Sequence, residues 1–246
     1  MWSANIVNYI NDMSIDDKYI YVTVQHPNDQ QILCLNKTDG HVENVWHYDD
    51  SIGPYSVVVD ESSIYITTLY KAELYIFDKQ SNQLQRTLPL MHTRLKIRQA
   101  KNYFLLWSSR IGHVTIYQKP IGDALNDAEK NVIDSMFATE VAANNEFVCV
   151  TNIISDEVYI HDMIIGDLKH KWNMPMPCGV VVDECHIYIS CPAEHAIYIY
   201  YKNDYRLKTI WRLEEGIRPH TLLVDDVRVY VMDNHVPVLY ALYKAV

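Results

Sequence analysis

The chain has 246 residues, 49% of them hydrophobic, and its 21 basic and 31 acidic side chains leave a formal net charge of −10. Half the chain is apolar and available for burial, which excludes an intrinsically disordered segment. An acidic chain is a poor partner for nucleic acid or an anionic membrane surface. With 7 glycines and 9 prolines it is neither collagen-like nor of low complexity. The 19 tyrosines, set among frequent Ile and Val, point to β structure, where such side chains fit a pleated surface.

Residues Met1 to Tyr9 lack the basic and then apolar regions of a secretory signal. No stretch approaches the roughly 18 apolar residues of a membrane span. Asn5-Ile6-Val7-Asn8-Tyr9 reads as a strand, and after it one phrase recurs along the chain. The phrase is an apolar run, a carboxylate or amide, two or three polar residues, and a Tyr-rich strand. Its copies centre on Asp16, Asp60, Ala100, Asn144, Asp183 and Asp225, at intervals of 44, 40, 44, 39 and 42 residues. Two clear examples are Val57-Val58-Val59-Asp60-Glu61-Ser62-Ser63-Ile64-Tyr65-Ile66-Thr67 and Val180-Val181-Val182-Asp183-Glu184-Cys185-His186-Ile187-Tyr188-Ile189-Ser190. A further strand follows each copy, as in Glu73-Leu74-Tyr75-Ile76-Phe77-Asp78. Next come a turn and a more polar strand, as in Leu84-Gln85-Arg86-Thr87-Leu88.

A period of about 40 to 45 residues, built from four short β runs, predicts an all-β propeller. The expected fold is a single six-bladed propeller spanning 1–246. Its blades cover approximately 11–50, 51–90, 91–137, 138–174, 175–214, and 215–246 together with 1–10. The last copy leaves no room for a fourth strand, so the N-terminal strand is expected to complete blade 6 and close the ring. The segment 120–130 lengthens a turn of blade 3 and reads as a decorated loop or a docking tab.

The repeat resembles the NHL and YVTN-type propeller repeats, with Val150-Thr151-Asn152 similar to the YVTN phrase itself. Pro-containing segments before the inner strands, Gly53-Pro54, Pro177-Cys178-Gly179 and Arg218-Pro219-His220, carry the same resemblance. It covers nearly the whole chain through structural motifs. Blade 3 departs most, with Ala100 in place of the acid and a basic inner strand.

Side chains alternate along a strand, so parity separates channel positions from packing positions. Met13, Val57, Ile97, Val141, Val180 and Leu222 are expected to pack between blades. The other parity places Asp12, Ser56, Lys96, Glu140, Gly179 and Thr221 at one level of the channel, and Ser14, Val58, Arg98, Ala142, Val181 and Leu223 at the next. Arg94, Lys96 and Arg98 then either form an anion site in an acidic protein, or pair internally with Asp12 and Glu140.

Some six-bladed propellers that resemble this one, the gluconolactonases and paraoxonase-like lactonases, hold a divalent cation at the channel mouth. That resemblance implies a metal-dependent hydrolase using calcium or magnesium, with Asn152, Asp233, Asn234 and Glu140 as ligands. Asn and Asp at strand ends are also ordinary turn formers. Cys178, Cys185 and Cys191, near His186 and His195, are spaced unlike a usual zinc ligand set. Five scattered cysteines without a signal peptide read as reduced thiols of a cytoplasmic protein.

The loops at the channel mouth offer Tyr55, Tyr70, Met91, Ile153, Met174, Met176, His220 and His235, a set suited to adaptable protein contacts. The expected function is a non-catalytic binding or scaffold protein that takes a protein partner through this face, without a cofactor. A small anionic ligand in the channel and the metal-dependent hydrolase remain the alternatives.

Overall fold

In five of the six copies of the phrase, all but the Ala100 copy, the central side chain ties the turn between two antiparallel strands. Asp16 Oδ1 accepts the N–H groups of Lys18 at 2.8 Å and Tyr19 at 2.6 Å. Asp60, Asn144, Asp183 and Asp225 hold their own turns in the same way. The computed structural model describes residues 1–6, 9–26, 29–49, 52–119, 129–134, 137–233 and 235–244.

A first strand, β1 (Trp2–Asn5), precedes the blades. Blade 1 is β2 (Tyr9–Ile15), β3 (Tyr19–His26), β4 (Asp29–Asn36) and β5 (Val42–Tyr48). Blade 2 is β6 (Pro54–Val59), β7 (Ser63–Thr68), β8 (Glu73–Asp78) and β9 (Leu84–Pro89). Blade 3 is β10 (Lys96–Ala100), β11 (Tyr103–Trp107), β12 (His113–Gln118) and β13 (Glu129–Asp134). Blade 4 is β14 (Glu140–Ala143), β15 (Phe147–Asn152), β16 (Glu157–Asp162) and β17 (Leu168–Asn173). Blade 5 is β18 (Val180–Val182), β19 (His186–Cys191), β20 (Ala196–Tyr201) and β21 (Leu207–Arg212). Blade 6 is β22 (Pro219–Val224), β23 (Arg228–Asp233) and β24 (Val238–Tyr243). Five blades are four-stranded antiparallel meanders, and β1 makes the sixth sheet four-stranded in the order β1-β24-β23-β22. The inner strands touch in succession around the ring, from β2 to β6 and on to β22, which returns to β2. The protein is a six-bladed β-propeller.

The closing strand lies earlier than the sequence suggests. Trp2 pairs with Ala241 and Asn5 with Val238, whereas Tyr9 opens the seven-residue inner strand of blade 1. The long inner strand takes Tyr9 from the stretch expected to close the ring, and the closing pairs run instead from Trp2 to Asn5. Val7 and Asn8 lie outside the described residues, as does 120–128 of the insertion. Trp2 also crosses to blade 1, where its indole N–H donates to the Lys37 carbonyl at 3.0 Å. Its ring lies on Gly40, at φ +76°, where a Cβ would overlap the indole.

The core is divided among the seams between blades. Met13 packs with Tyr230, Met232 and Leu239 across the seam of blades 6 and 1. Val57, Ile97, Val141, Val180 and Leu222 do the same at the other seams. Each fully buried side chain of this kind contributes about 1.5–3 kcal/mol. Val58, Ala142 and Leu223, expected in the channel, are buried in these clusters too. At the level they share with Arg98, these apolar side chains therefore belong to the seams.

A second tie crosses three of the seams near the tied turns. The outer carboxylate oxygen of Asp16, Asp60, Asp183 and Asp225 accepts a hydroxyl from Tyr21, Tyr65, Tyr188 and Tyr230. Three of these acids also meet a lysine from the following blade: Lys79 with Asp16 at 2.8 Å, Lys244 with Asp183 at 2.7 Å, and Lys37 with Asp225 at 3.0 Å. Where blade 3 has Ala100, the following blade offers Met163 in the lysine's place, and the two share an apolar cluster.

Two outcomes are expected. Deleting residues 1–5 removes the pairing to β24 and the Trp2 latch, and lowers Tm by about 5–10 °C, at roughly 2–4 °C per kcal/mol for a chain of this size; a calorimetric scan reads this directly. Burial alone would raise the Asp183 carboxyl, but the Lys244 ammonium, two turn N–H groups and the Tyr188 hydroxyl bring it down from 3.8 to about 2. A depressed carboxyl stabilises above its unfolded value and loses that contribution as pH falls through its folded value. The wild type therefore loses stability relative to Asp183→Asn between about pH 4 and about pH 2, as urea midpoints across that range measure.

Candidate functional site at the channel mouth

The inner strand of blade 3 carries the cations, and its neighbours supply matching acids. Arg98 makes a two-pronged pair with Asp12, Nη1 to Oδ2 at 2.7 Å and Nη2 to Oδ1 at 2.6 Å. Its Nη2 also lies 3.1 Å from Glu140 Oε1. Lys96 Nζ donates to Glu140 Oε2 at 2.8 Å. The Ser56 hydroxyl donates to Asp12 Oδ2 and accepts the Ile97 N–H at 3.0 Å. Asp12 and Glu140 are buried, and the Arg98 guanidinium lies 5.7 Å from the Trp107 ring. Two cations and two carboxylates thus form one neutral, desolvated cluster spanning blades 1, 3 and 4.

Burial by itself would raise the Asp12 carboxyl, yet Arg98, Lys96 and Ser56 hold it below its usual value. Burial would likewise lower the Lys96 and Arg98 cations, and the facing carboxylates raise both instead. Arg94 does not join them. It sits in an exposed turn at φ 56°, with its N–H bonded to the Thr68 carbonyl. The turn buries the next residue, Leu95, between blades 2 and 3, which leaves Arg94 on the outside.

Three bulges shape the mouth above this cluster. The pairing registers of blades 1, 2 and 6 each skip one residue: Asn11, Tyr55 and His220. Sequence parity did not register these insertions, since each falls one position before the channel level. Asn11 Nδ2 donates to the Pro54 carbonyl at 3.3 Å. Burial and the Lys96 charge push His220 down to about 4 against the opposing pull of Asp233, so the imidazole is neutral at pH 7.

The residues considered as metal ligands are engaged elsewhere. Asn152 Oδ1 accepts the N–H groups of Ile154 and Ser155. Asp233 accepts those of Arg218, His235 and Val236. Glu140 belongs to the ion cluster, and Asn234 lies outside the described residues. Among the described residues no group of three or more His, Cys, Asp or Glu is placed to hold a metal ion. Cys178 and Cys191 are buried at the upper end of blade 5, whereas Cys185 is exposed at the far end of the six-residue β19, roughly 20 Å away at the rise of a strand. Burial pushes the Cys178 thiol up to about 12.

The loop face is uneven. Met91 and Ile154 are 80% and 68% exposed, and Tyr70, Met176 and His235 are exposed as well. Tyr55, Ile153 and His220 are half-buried. Met174 is buried between blades 4 and 5, with its N–H bonded to the Asp156 carbonyl. It directly follows β17, so it packs inward where Met176, two residues on, emerges in a left-handed turn. Phe137 and Val236 are exposed on the same face and were not singled out from sequence. Their position in loops leading to and from the mouth is the signal that would have found them.

No family model matches the chain, and no curated protein matches it. Solved structures do. BamB from Moraxella catarrhalis superposes with a TM-score of 0.59 at 11% identity, over 96% of this chain and 86% of that one. Hsv2 from Kluyveromyces marxianus gives a TM-score of 0.62 at 11% identity, over 97% of this chain and 74% of that one. At this identity the likeness is one of fold.

Removing one partner from the ion cluster should cost far more than removing a pair. Asp12→Asn leaves Arg98 desolvated and is expected to destabilise by about 3–5 kcal/mol. Adding Arg98→Met to Asp12→Asn should recover part of that loss. Urea denaturation of both single variants and the double variant measures the coupling; additive losses would contradict it.

Proposed function

We propose that this protein is a non-catalytic scaffold that takes a protein partner on the loop face around the channel mouth. One observation carries this reading. Tyr70 from blade 2, Met91 from the loop between blades 2 and 3, Ile154 from blade 4 and Met176 from the loop between blades 4 and 5 are exposed on one face, while the ionisable groups beneath are spent on one another. Methionine and aromatic side chains suit adaptable protein contacts. Propeller folds host many functions, so the face and not the fold supports the reading. The resemblance of the repeats to the NHL and YVTN type agrees with a binding module. No metal or cofactor takes part in it. Five cysteines without a disulfide support a reducing, cytoplasmic setting.

The test is capture of a partner by the full chain. Tyr70→Ser with Met91→Ser, and Ile154→Ser with Met176→Ser, should each abolish capture without lowering Tm. Ile164→Ser with Ile165→Ser, at exposed positions on the opposite face, should leave it intact. Equal capture by all three variants would defeat the assignment. Calcium or magnesium should leave Tm unchanged. A rise that Asn152→Ala and Asp233→Ala both remove would establish the hydrolase-type metal site instead.

A further inference from the structure

The face opposite the loop face carries the tied turns, and its charge is uneven. Asp16-Asp17, Asp60-Glu61, Asp183-Glu184 and Asp225-Asp226 place two carboxylates on each of four turns. Blade 4 has Asn144-Asn145, and blade 3 has Ala100-Lys101. The rim is therefore acidic over four blades and basic at one. Where the acidic and basic sectors meet, between blades 1, 2 and 3, lies a cavity of about 700 Å³. Asp16, Asp17, Asp60 and Glu61 line it from blades 1 and 2, where Lys79 is paired with Asp16 and Lys18 lies 4.0 Å from Glu43, and Gln99, Lys101 and Lys119 line it from blade 3.

Lys119 is the blade 3 counterpart of Lys37, Lys79 and Lys244, but it does not make their ion pair. Its Nζ donates to Gln99 Oε1 at 2.7 Å and lies 4.3 Å from the Phe104 ring centre. Gln99 stands where the other blades have an apolar residue, and its Nε2 is fixed by the Val59 carbonyl at 2.9 Å. The glutamine thus draws the ammonium away from Asp60, whose outer oxygen already takes the Tyr65 hydroxyl. Among the described residues no carboxylate lies within ion-pair distance of Lys119. Burial holds its ammonium below the usual value, and the more distant Asp60 does not offset this. On the other wall the Asp17 and Glu61 carboxylates are exposed and, among the described residues, make no ion pair.

A partly desolvated cation attracts an anionic group more strongly than a solvated one does. A lone oxyanion here would also meet Asp60 and Glu61, and a lone cation would meet Lys101 and Lys119. A ligand with both charges satisfies both walls. The geometry points to a site for a small zwitterion at this rim, its carboxylate toward Lys101 and Lys119 and its ammonium toward Asp17 and Glu61.

The experiment is calorimetric titration of the full chain, at near-neutral pH and fixed ionic strength, with glycine, γ-aminobutyrate and ε-aminocaproate. Butyrate and butylammonium serve as single-charge analogues. At least one amino acid of the series should bind saturably, about tenfold tighter than either analogue, a difference of about 1.4 kcal/mol. Lys119→Gln, Lys101→Gln and Glu61→Gln should each weaken it by a similar factor, and Lys208→Gln on blade 5 should not. Lys101 and Glu61 are exposed turn positions, so their variants test the site even where Lys119→Gln unsettles the fold. Absence of saturable binding across the series overturns the inference. So does butyrate binding as tightly as γ-aminobutyrate, or an affinity unchanged in both Lys101→Gln and Glu61→Gln.

Discussion

One carboxylate, repeated around the ring, governs how the blades form and how they join. Its inner oxygen replaces a backbone partner for two N–H groups, so the turn between the first two strands is fixed locally. Its outer oxygen accepts a tyrosine hydroxyl from its own blade and, at three seams, a lysine from the next. A single side chain thus couples turn geometry to the packing of neighbours. Because the lysine and the acid sit on different blades, neither blade satisfies its charges alone. The apolar seams supply the bulk of the burial free energy, and these polar ties set the register in which the seams meet.

The same economy accounts for the scarcity of glycine. Turns held by Asp and Asn side chains need little backbone freedom. In four blades the turn before the outermost strand has a left-handed slot, filled by Gly40 and Gly166 in two of them but by Asn82 and Tyr205 in the other two. Tyr205 occupies that slot while packing edge-on to Phe147 of the neighbouring blade, at 6.2 Å.

The period, the six blades, the ring closed by an N-terminal strand and the packing residues Met13, Val57 and Ile97 were legible because each rests on spacing alone. The channel level of Asp12, Lys96 and Glu140 was legible by parity. Arg94 was misplaced because parity assumes that a strand continues, and β10 begins only at Lys96. Bulges at Asn11, Tyr55 and His220 add a residue without any mark in the pattern. Met174 shows the same limit at a strand end, where one peptide decides between core and solvent. The lysines of the seams were overlooked although their spacing is regular. Lys79, Lys119, Met163, Lys202 and Lys244 each follow the turn-tying position of their own blade by 19 residues. Only the structure shows that the partner belongs to the blade before.

The pairing of Trp2 with Ala241 sets an order of events during synthesis. Of the propeller's strands, the one made first is the one that pairs last, since β24 must emerge from the ribosome before β1 has an edge to join. Closing so long a loop adds only slowly to the entropic cost, but contacts this distant in sequence delay the final step of folding. Until then blade 6 presents a bare strand edge and blade 1 an uncovered seam, the kind of surface that invites association between nascent chains. Translation speed over the last blade, and the help of chaperones at that stage, thereby become part of what determines the yield of folded protein.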